Sequence, residues 1–387
     1  MRTPGGRFTL VLLLLLAPGC TCEQPTSPEP GVKPDPSTST STSTDKMRLP
    51  TVKEGAYNVA FVYVGPVGDG GWTYAHDLGR KALEAANKDV HTVYIESVGE
   101  GAEAEQVIRG LARKGFDLVV ATSFGYMDAV EAVAGEFPEV KFLHISGHKD
   151  NGKNFGNLFG AMEQMKYLAG IIAGARAKAD GKLKLGYIAP FPIPEVIRLG
   201  NALALGIRKS CPRCTMEIRW INSWFDPTKE REAADSLLKA GAQVVITGAD
   251  TSGPIVAAKD ADKWAVGYDS ENACDLAPEH CLTVPYWRWG PVYVEQVKAM
   301  RAGTWKGTSQ YLDASSGIMG LYGFMEGQTP PKGVTDEAAM MVQSMLISMM
   351  AGKITPFDLF AGPLKDNTGK VVLPAGGRLT QQDLEGT

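Results

Sequence analysis

The sequence predicts an α/β protein made of two doubly wound lobes, each a parallel sheet wrapped by helices. Three observations carry this. From Tyr57 onward, short apolar β-rich runs alternate with segments of helical spacing. After a long apolar stretch at 162–179 the alternation starts again. The alternating part is about 340 residues long, which suits two domains of ordinary size. Repeated β–α units imply parallel sheets covered on both faces.

In chain order, the first segment is a leader. Arg2 and Arg7 precede an apolar run from Leu10 to Ala17, followed by Pro18, Gly19 and Cys20. A basic start, a short apolar core and a small residue at the cut describe a secretory signal over residues 1–19. The run falls short of the about 20 apolar residues that a membrane-spanning helix needs. Cys20 directly after Gly19 resembles a bacterial lipobox, in which the cysteine takes lipid and becomes the new N-terminus; Ala17 and Pro18 depart from that pattern. Lipidation at Cys20 is the expectation, and soluble secretion is the alternative. Either way the working protein lies outside the cytoplasm. Residues 20–50 follow as a Pro/Ser/Thr tether with almost no apolar side chains, too polar to offset the entropy of ordering it.

The first lobe is expected over 56–178. Its strands read YNVAFVYV (57–64), VHTVYI (90–95), FDLVVA (116–121) and VKFLHI (140–145), with helices at 74–88, 102–114 and 127–136. The segment 162–179 contains YLAGIIAGA, flanked by Lys166 and Arg176, and reads as a buried helix. The second lobe is expected over 180–266. Its strands are LKLGYI (183–188), TMEIRW (215–220), QVVIT (243–247) and WAVG (264–267), with helices near 194–209, 228–240 and 253–261. Pro227 suits a helix start, where its missing N–H costs nothing.

Composition narrows the function. Without residues 1–19 the chain carries 37 Lys and Arg against 43 Asp and Glu, a net charge of −6, and no basic block. Nucleic acid is therefore excluded as a partner. Of the six cysteines, Cys22 falls in the tether, Cys211 and Cys214 form CPRC, and Cys274 and Cys281 close a short acidic loop. CPRC follows a helix and precedes a strand, unlike a redox motif that opens a helix. Two local disulfides fit an oxidising compartment; half a zinc site and free thiols are the alternatives.

In open α/β sheets, ligands bind beyond the carboxyl ends of the strands. The loop after the first strand, GPVGDGGWTYAHD (65–77), supplies Asp69, Trp72, Tyr74 and His76. It has neither GxGxxG nor GKS/T, so it is no nucleotide-phosphate loop. Ser123 and Phe124 follow the third strand, Trp224 follows TMEIRW, Asp250 and Thr251 follow QVVIT, and Asp269 follows WAVG. Aromatic faces beside carboxylates suit a flat polar ligand, at roughly 1–3 kcal/mol for each stacked base. Asp226, before Pro227, reads as a helix cap. Catalytic patterns are thin. There is no HExxH, no GxSxG, no metal-ligand spacing and no cofactor motif among the five histidines and their neighbours. His76 and Asp77 are adjacent on a helix and point different ways.

Several long segments together resemble the basic membrane protein family of ABC-transporter substrate-binding lipoproteins, which includes purine nucleoside receptors. They are GDGGWTYAHDLGRKALE (68–84), YLAGIIAGA (167–175), FPIPEVIRLGNALALG (191–206), NSWFDPTKEREAA (222–234), VGYDSE (266–271) and FAGPLKDNTGK (360–370). The resemblance implies a type I periplasmic-binding-protein fold, two Rossmann-like lobes joined by a hinge. Return segments of about 269–303 would complete the first lobe and about 310–382 the second. It further implies a purine-type ligand, no enzymatic activity, and ABC permease and ATPase subunits as partners. By position, Trp72 and Trp224 would sandwich the base, with Asp250 and Asp269 lining the cleft. Nucleoside-binding members carry a lysine near the ribose where Trp287 stands here, so a free base such as adenine suits this pattern as well as a nucleoside. Another flat or hydroxylated solute, such as riboflavin or a sugar, an extracytoplasmic enzyme using His76, and a sensor module are the rival readings.

Overall fold

Five of the six residues of the first strand are buried, as expected of a strand inside a sheet covered on both faces. The computed structural model describes residues 49–385. The leader 1–19, the expected lipidation at Cys20 and all but the last two residues of the tether lie outside the described residues.

The chain begins with β1 (Tyr57–Val62), α1 (Trp72–Ala86), β2 (Val90–Ile95), α2 (Ala102–Arg113), β3 (Leu118–Ala121), α3 (Met127–Glu136), β4 (Lys141–Ile145) and β5 (Phe155–Gly160). It then passes through α4 (Glu163–Ala179), β6 (Lys184–Ala189), α5 (Pro194–Ser210), β7 (Thr215–Trp220), α6 (Pro227–Lys239), β8 (Val244–Thr247), α7 (Gly253–Asp260), β9 (Trp264–Val266) and β10 (Cys281–Thr283). The remainder is β11 (Pro285–Trp287), α8 (Trp289–Arg301), β12 (Gln310–Leu312), β13 (Met319–Leu321), α9 (Asp336–Met350), α10 (Pro356–Leu359), β14 (Leu364–Lys365), β15 (Val371–Leu373) and α11 (Gln381–Glu385).

Two parallel sheets result. The first has the order β12-β5-β4-β3-β1-β2 and the second β10-β9-β8-β6-β7. In each, the strand order reverses beside the first strand of its lobe, β1 or β6, which opens a crevice at the strand ends. Between the sheets, β11 and β13 form a short antiparallel pair. Cys211 is bonded to Cys214 and Cys274 to Cys281.

The lobe boundaries differ from the sequence expectation in three places. Helix α4 packs on α5 and α9, so it covers the second sheet although it lies within 56–178. Strand β10 extends the second sheet, although the first lobe's return was expected from 269. Strand β12 adds to the first sheet by pairing with β5, although residues from 310 were expected to return to the second lobe. Strands this short have no periodicity from which a partner can be read. The chain therefore crosses between lobes at 160–163, 283–289 and 312–319.

The apolar run in α4 is a buried helix, and no described helix is long and apolar enough to cross a membrane. Its small residues serve packing. A Cβ on Gly170 would come within 3.0 Å of the Ile207 nitrogen, and one on Gly206 within 3.1 Å of the Gly170 Cα. Glycine at these positions lets the two backbones meet.

Candidate functional site

A cleft opens between the carboxyl ends of the two sheets, with about 480 Å³ of non-protein space including its mouth. The first lobe lines it with Val64, Trp72, Ser123, Phe124 and Ser146. The second lobe contributes Tyr187, then Glu195, Val196 and Leu199 from the start of α5. Trp224, Gly248, Asp250, Tyr268 and Asp269 complete it. Across the cleft the lobes touch at Gly71, where a Cβ would lie 2.6 Å from the Asp250 Cα.

The first-lobe wall is built on the β1–α1 loop. Asp69 does not line the cleft: Oδ1 accepts from the Gly71 and Tyr74 amides and Oδ2 from the Thr73 amide, each at 2.9 Å. Its carboxylate closes the start of α1, where free N–H groups need acceptors. Burial pushes its pKa up and those three amides pull it back. Trp72 enters the cleft, held by its Nε1 donating to the Thr122 carbonyl at 2.7 Å. Tyr74 is half-buried and lies outside the cleft lining. His76 lies beneath Trp72, fully buried, hydrogen-bonded through Nδ1 to Tyr293 at 2.6 Å and stacked on Trp289. Desolvation drives its pKa well below the usual value, so it is neutral and removed from the cleft. Ser123 donates to Glu100 at 2.5 Å. Phe124 supplies a ring.

The second-lobe wall differs in kind. Trp224 is carried by the loop after β7, and Asp226 caps α6 just beyond it by accepting from the Lys229 amide at 3.0 Å. The Nε1 of Trp224, Oδ2 of Asp250 and the hydroxyls of Tyr187 and Tyr268 are buried with no hydrogen-bond partner among the described residues. All four residues line the cleft. Thr251 does not: its amide and hydroxyl donate to Glu230 Oε2 at 3.0 and 2.8 Å, which ties the β8–α7 loop to α6. Trp287 also stays out of the lining. It packs against Phe159 and stacks on Trp289, and its Nε1 donates to Asp269 Oδ1 at 2.9 Å. It thus positions Asp269 rather than meeting the cleft itself.

Asp269 sits at φ +65° and Ser146 at φ +73°, both at strand ends in the cleft. A non-glycine residue in that region costs of order 1–3 kcal/mol, and such strain gathers at ligand sites. Asp269 is held there by bonding its amide to the Pro285 carbonyl and its carbonyl to the Trp287 amide, each at 3.0 Å.

Two residues that carry the electrostatics, Lys166 and Glu195, are not among the candidates read from the sequence. Lys166, which looks like a flanking charge on α4, is fully buried. Its Nζ lies 3.2 Å from the Tyr268 ring centroid and donates to the Thr247 carbonyl at 3.1 Å. Desolvation lowers its pKa to about 7, opposed by Asp269 and Glu195. Desolvation raises Glu195 to about 7, with Glu163 adding to the rise and Arg198 and Lys166 opposing it. Burial also pushes Asp250 and Asp269 well above the carboxylate range. Asp69, Asp269 and Glu230 add to the rise at Asp250, while Lys166 and the Trp287 N–H oppose it at Asp269. Glu195 was findable, because FPIPEV follows a strand. The burial of Lys166 was not, because it depends on where α4 packs.

The comparisons with known proteins agree with this geometry. Residues 56–351 match the family model described as ABC transporter substrate-binding protein PnrA-like. The chain belongs to this family. A purine-binding protein of Brucella abortus is 37% identical over 85% of this chain and 90% of its own length. A putative ABC transporter glucose-binding protein of Haloferax volcanii is 34% identical over 67% of this chain and 65% of its own. A solved ABC-transporter solute-binding protein of Conexibacter woesei superposes with a TM-score of 0.63 at 25% identity, over 79% of this chain and all of its own. The fold is the two-lobed type I fold of solute-binding proteins. Family members bind small solutes outside the cytoplasm for ABC permeases and are not enzymes.

Proposed function

We propose that this chain captures a purine base or nucleoside, adenine-like in its edge, between its two lobes. Held to the outer side of a membrane by lipid on Cys20, it hands the solute to an ABC importer. The observation that carries the ligand reading is the second-lobe wall. An indole (Trp224), a carboxyl (Asp250) and two phenols (Tyr187, Tyr268) all have polar atoms buried without partners. A planar heterocycle with ring nitrogens and amino groups satisfies donors and acceptors of that kind, while Trp72, Phe124 and Trp224 offer its faces apolar contact. The purine-binding Brucella relative supports the same ligand class.

Closure follows from the same contacts. Ligand held by both walls binds the closed arrangement better than the open one and shifts the population by that difference. Transport energy belongs to a separate ATPase, since the sequence has no P-loop motif.

A sugar is the second reading, favoured by the glucose-binding Haloferax relative, because hydroxyl groups can also pair with buried carboxyls. Calorimetric titration of the exported protein with adenine, hypoxanthine, adenosine, riboflavin and glucose separates them. Tight binding of a purine and none of glucose is expected; tight glucose binding with no response to any purine would overturn the reading. The lipid is read by mass: the exported chain should begin at Cys20 and carry acyl groups, and Cys20→Ala should release it from the membrane.

A further inference from the structure

Asp250 and Asp269 follow the ends of neighbouring strands, β8 and β9, and both line the cleft. They are only 5% and 2% exposed. Asp269 Oδ1 accepts the Trp287 indole N–H, whereas Asp250 Oδ2 meets no donor among the described residues. Two carboxylates that line one cleft away from water repel each other, which favours one of them keeping its proton.

The groups around the pair do not relieve this. Asp69 faces it from the β1–α1 loop, Glu230 from α6 and Glu195 from α5. The cation facing it is Lys166 on α4, and the Tyr187 and Tyr268 phenols stay neutral. One ammonium cannot balance two carboxylates with further acids nearby.

We propose that Asp250 and Asp269 hold one proton between them, and that this proton makes the pair a side-by-side donor and acceptor for the ligand's edge. Asp269 is the ionised member, because it takes the indole N–H and faces Lys166. Asp250 is the protonated member, and its O–H is the donor. The inference rests on the purine reading above: an adenine edge sets an acceptor ring nitrogen beside a donor amino group, which this pair complements. It assigns Asp250 a role that an ionised carboxylate could not fill. Affinity then falls as pH rises past the value at which the pair loses its shared proton, and ligand binding draws that proton back from solvent.

The ligand-free protein gives the first reading. In carbon-13 NMR of aspartate-labelled protein at about pH 7, one carboxyl of the pair should be protonated, well above its ordinary range. Asp250→Asn and Asp269→Asn assign the signals, and thermal unfolding checks that both variants fold. Two ionised carboxyls would overturn the proposal. Calorimetry with adenine gives the second. Asp250→Asn, which keeps an N–H donor in place, should bind within about threefold of the parent and lose the alkaline fall in affinity; Asp250→Ala should bind about tenfold more weakly. Equal losses in both variants, or affinity unchanged with rising pH in the parent, would overturn the donor role. If the NMR signal is present but adenine does not bind the parent, the shared proton stands and the purine reading fails.

Discussion

The two walls of the cleft are made of similar residues but treat their polar atoms in opposite ways. On the first-lobe side two lining groups are engaged: the Trp72 indole by Thr122 and the Ser123 hydroxyl by Glu100. Asp69 behind them is saturated by backbone amides. On the second-lobe side Trp224, Asp250, Tyr187 and Tyr268 each keep a buried polar atom open. An unpaired buried group costs about 1–3 kcal/mol, so the second wall carries a debt of stability that a ligand can relieve. The first wall is a preformed platform, and the second is where discrimination between solutes resides.

Three measurements sharpen or break that contrast. The largest effect is expected from Trp224→Ala, which removes a ring and an open donor together. It should weaken purine binding about thirtyfold or more, with little change in thermal midpoint because the side chain is half-buried. A loss under threefold, seen by calorimetry, would put recognition elsewhere.

Next is Glu230, which ties the second-wall loops together through Thr251 and the Asp226 amide. Desolvation raises its pKa from 4.5 to about 7, against its hydrogen bonds from Thr251. The folded state then holds a proton that the unfolded chain has already released. The contribution of Glu230 to stability is therefore highest at acid pH and declines as pH climbs from about 4.5 to about 7. Glu230→Gln cannot titrate, so its stability relative to the parent should grow across that window by up to about 3 kcal/mol and then level off. Denaturant unfolding at a series of pH values reads it. A constant difference would mean that Glu230 is ionised throughout.

The smallest effect on binding is expected from Asp69→Ala. Loss of the cap should cost about 1–2 kcal/mol of stability by denaturant unfolding, while purine affinity changes less than threefold. A large loss of affinity without a loss of stability would make Asp69 a ligand group and erase the contrast between the walls.

The helices and long strands were legible because each carries its own signal. The proline at the start of α6, the periodicity of α1 and the apolar runs of β1, β3 and β8 are local facts. Strands β5, β10 and β12 were not, since FGNLFG is glycine-rich and three-residue strands acquire identity only from a partner. The site divides similarly. Strand-end position found Trp72, Ser123, Phe124, Trp224, Asp250 and Asp269 in the cleft. It also named Asp69, Tyr74, His76 and Thr251, and the family resemblance named Trp287; none of these lines the cleft. Residue type and position cannot distinguish an aspartate that meets three amides from one that meets none. Only backbone direction does, as at Asp269, whose left-handed φ no flanking residue announces.

The three crossings between lobes have a consequence for how the molecule is made. The first sheet needs β12, and α1 packs on α8, yet both arrive after β6–β10 have left the ribosome. Each lobe is thus built from two stretches of chain. No single cut separates the two, and a graft of one lobe onto a relative must exchange two pieces of chain together. The first sheet is complete only once β12, at Gln310–Leu312 in the last third of the chain, has been made.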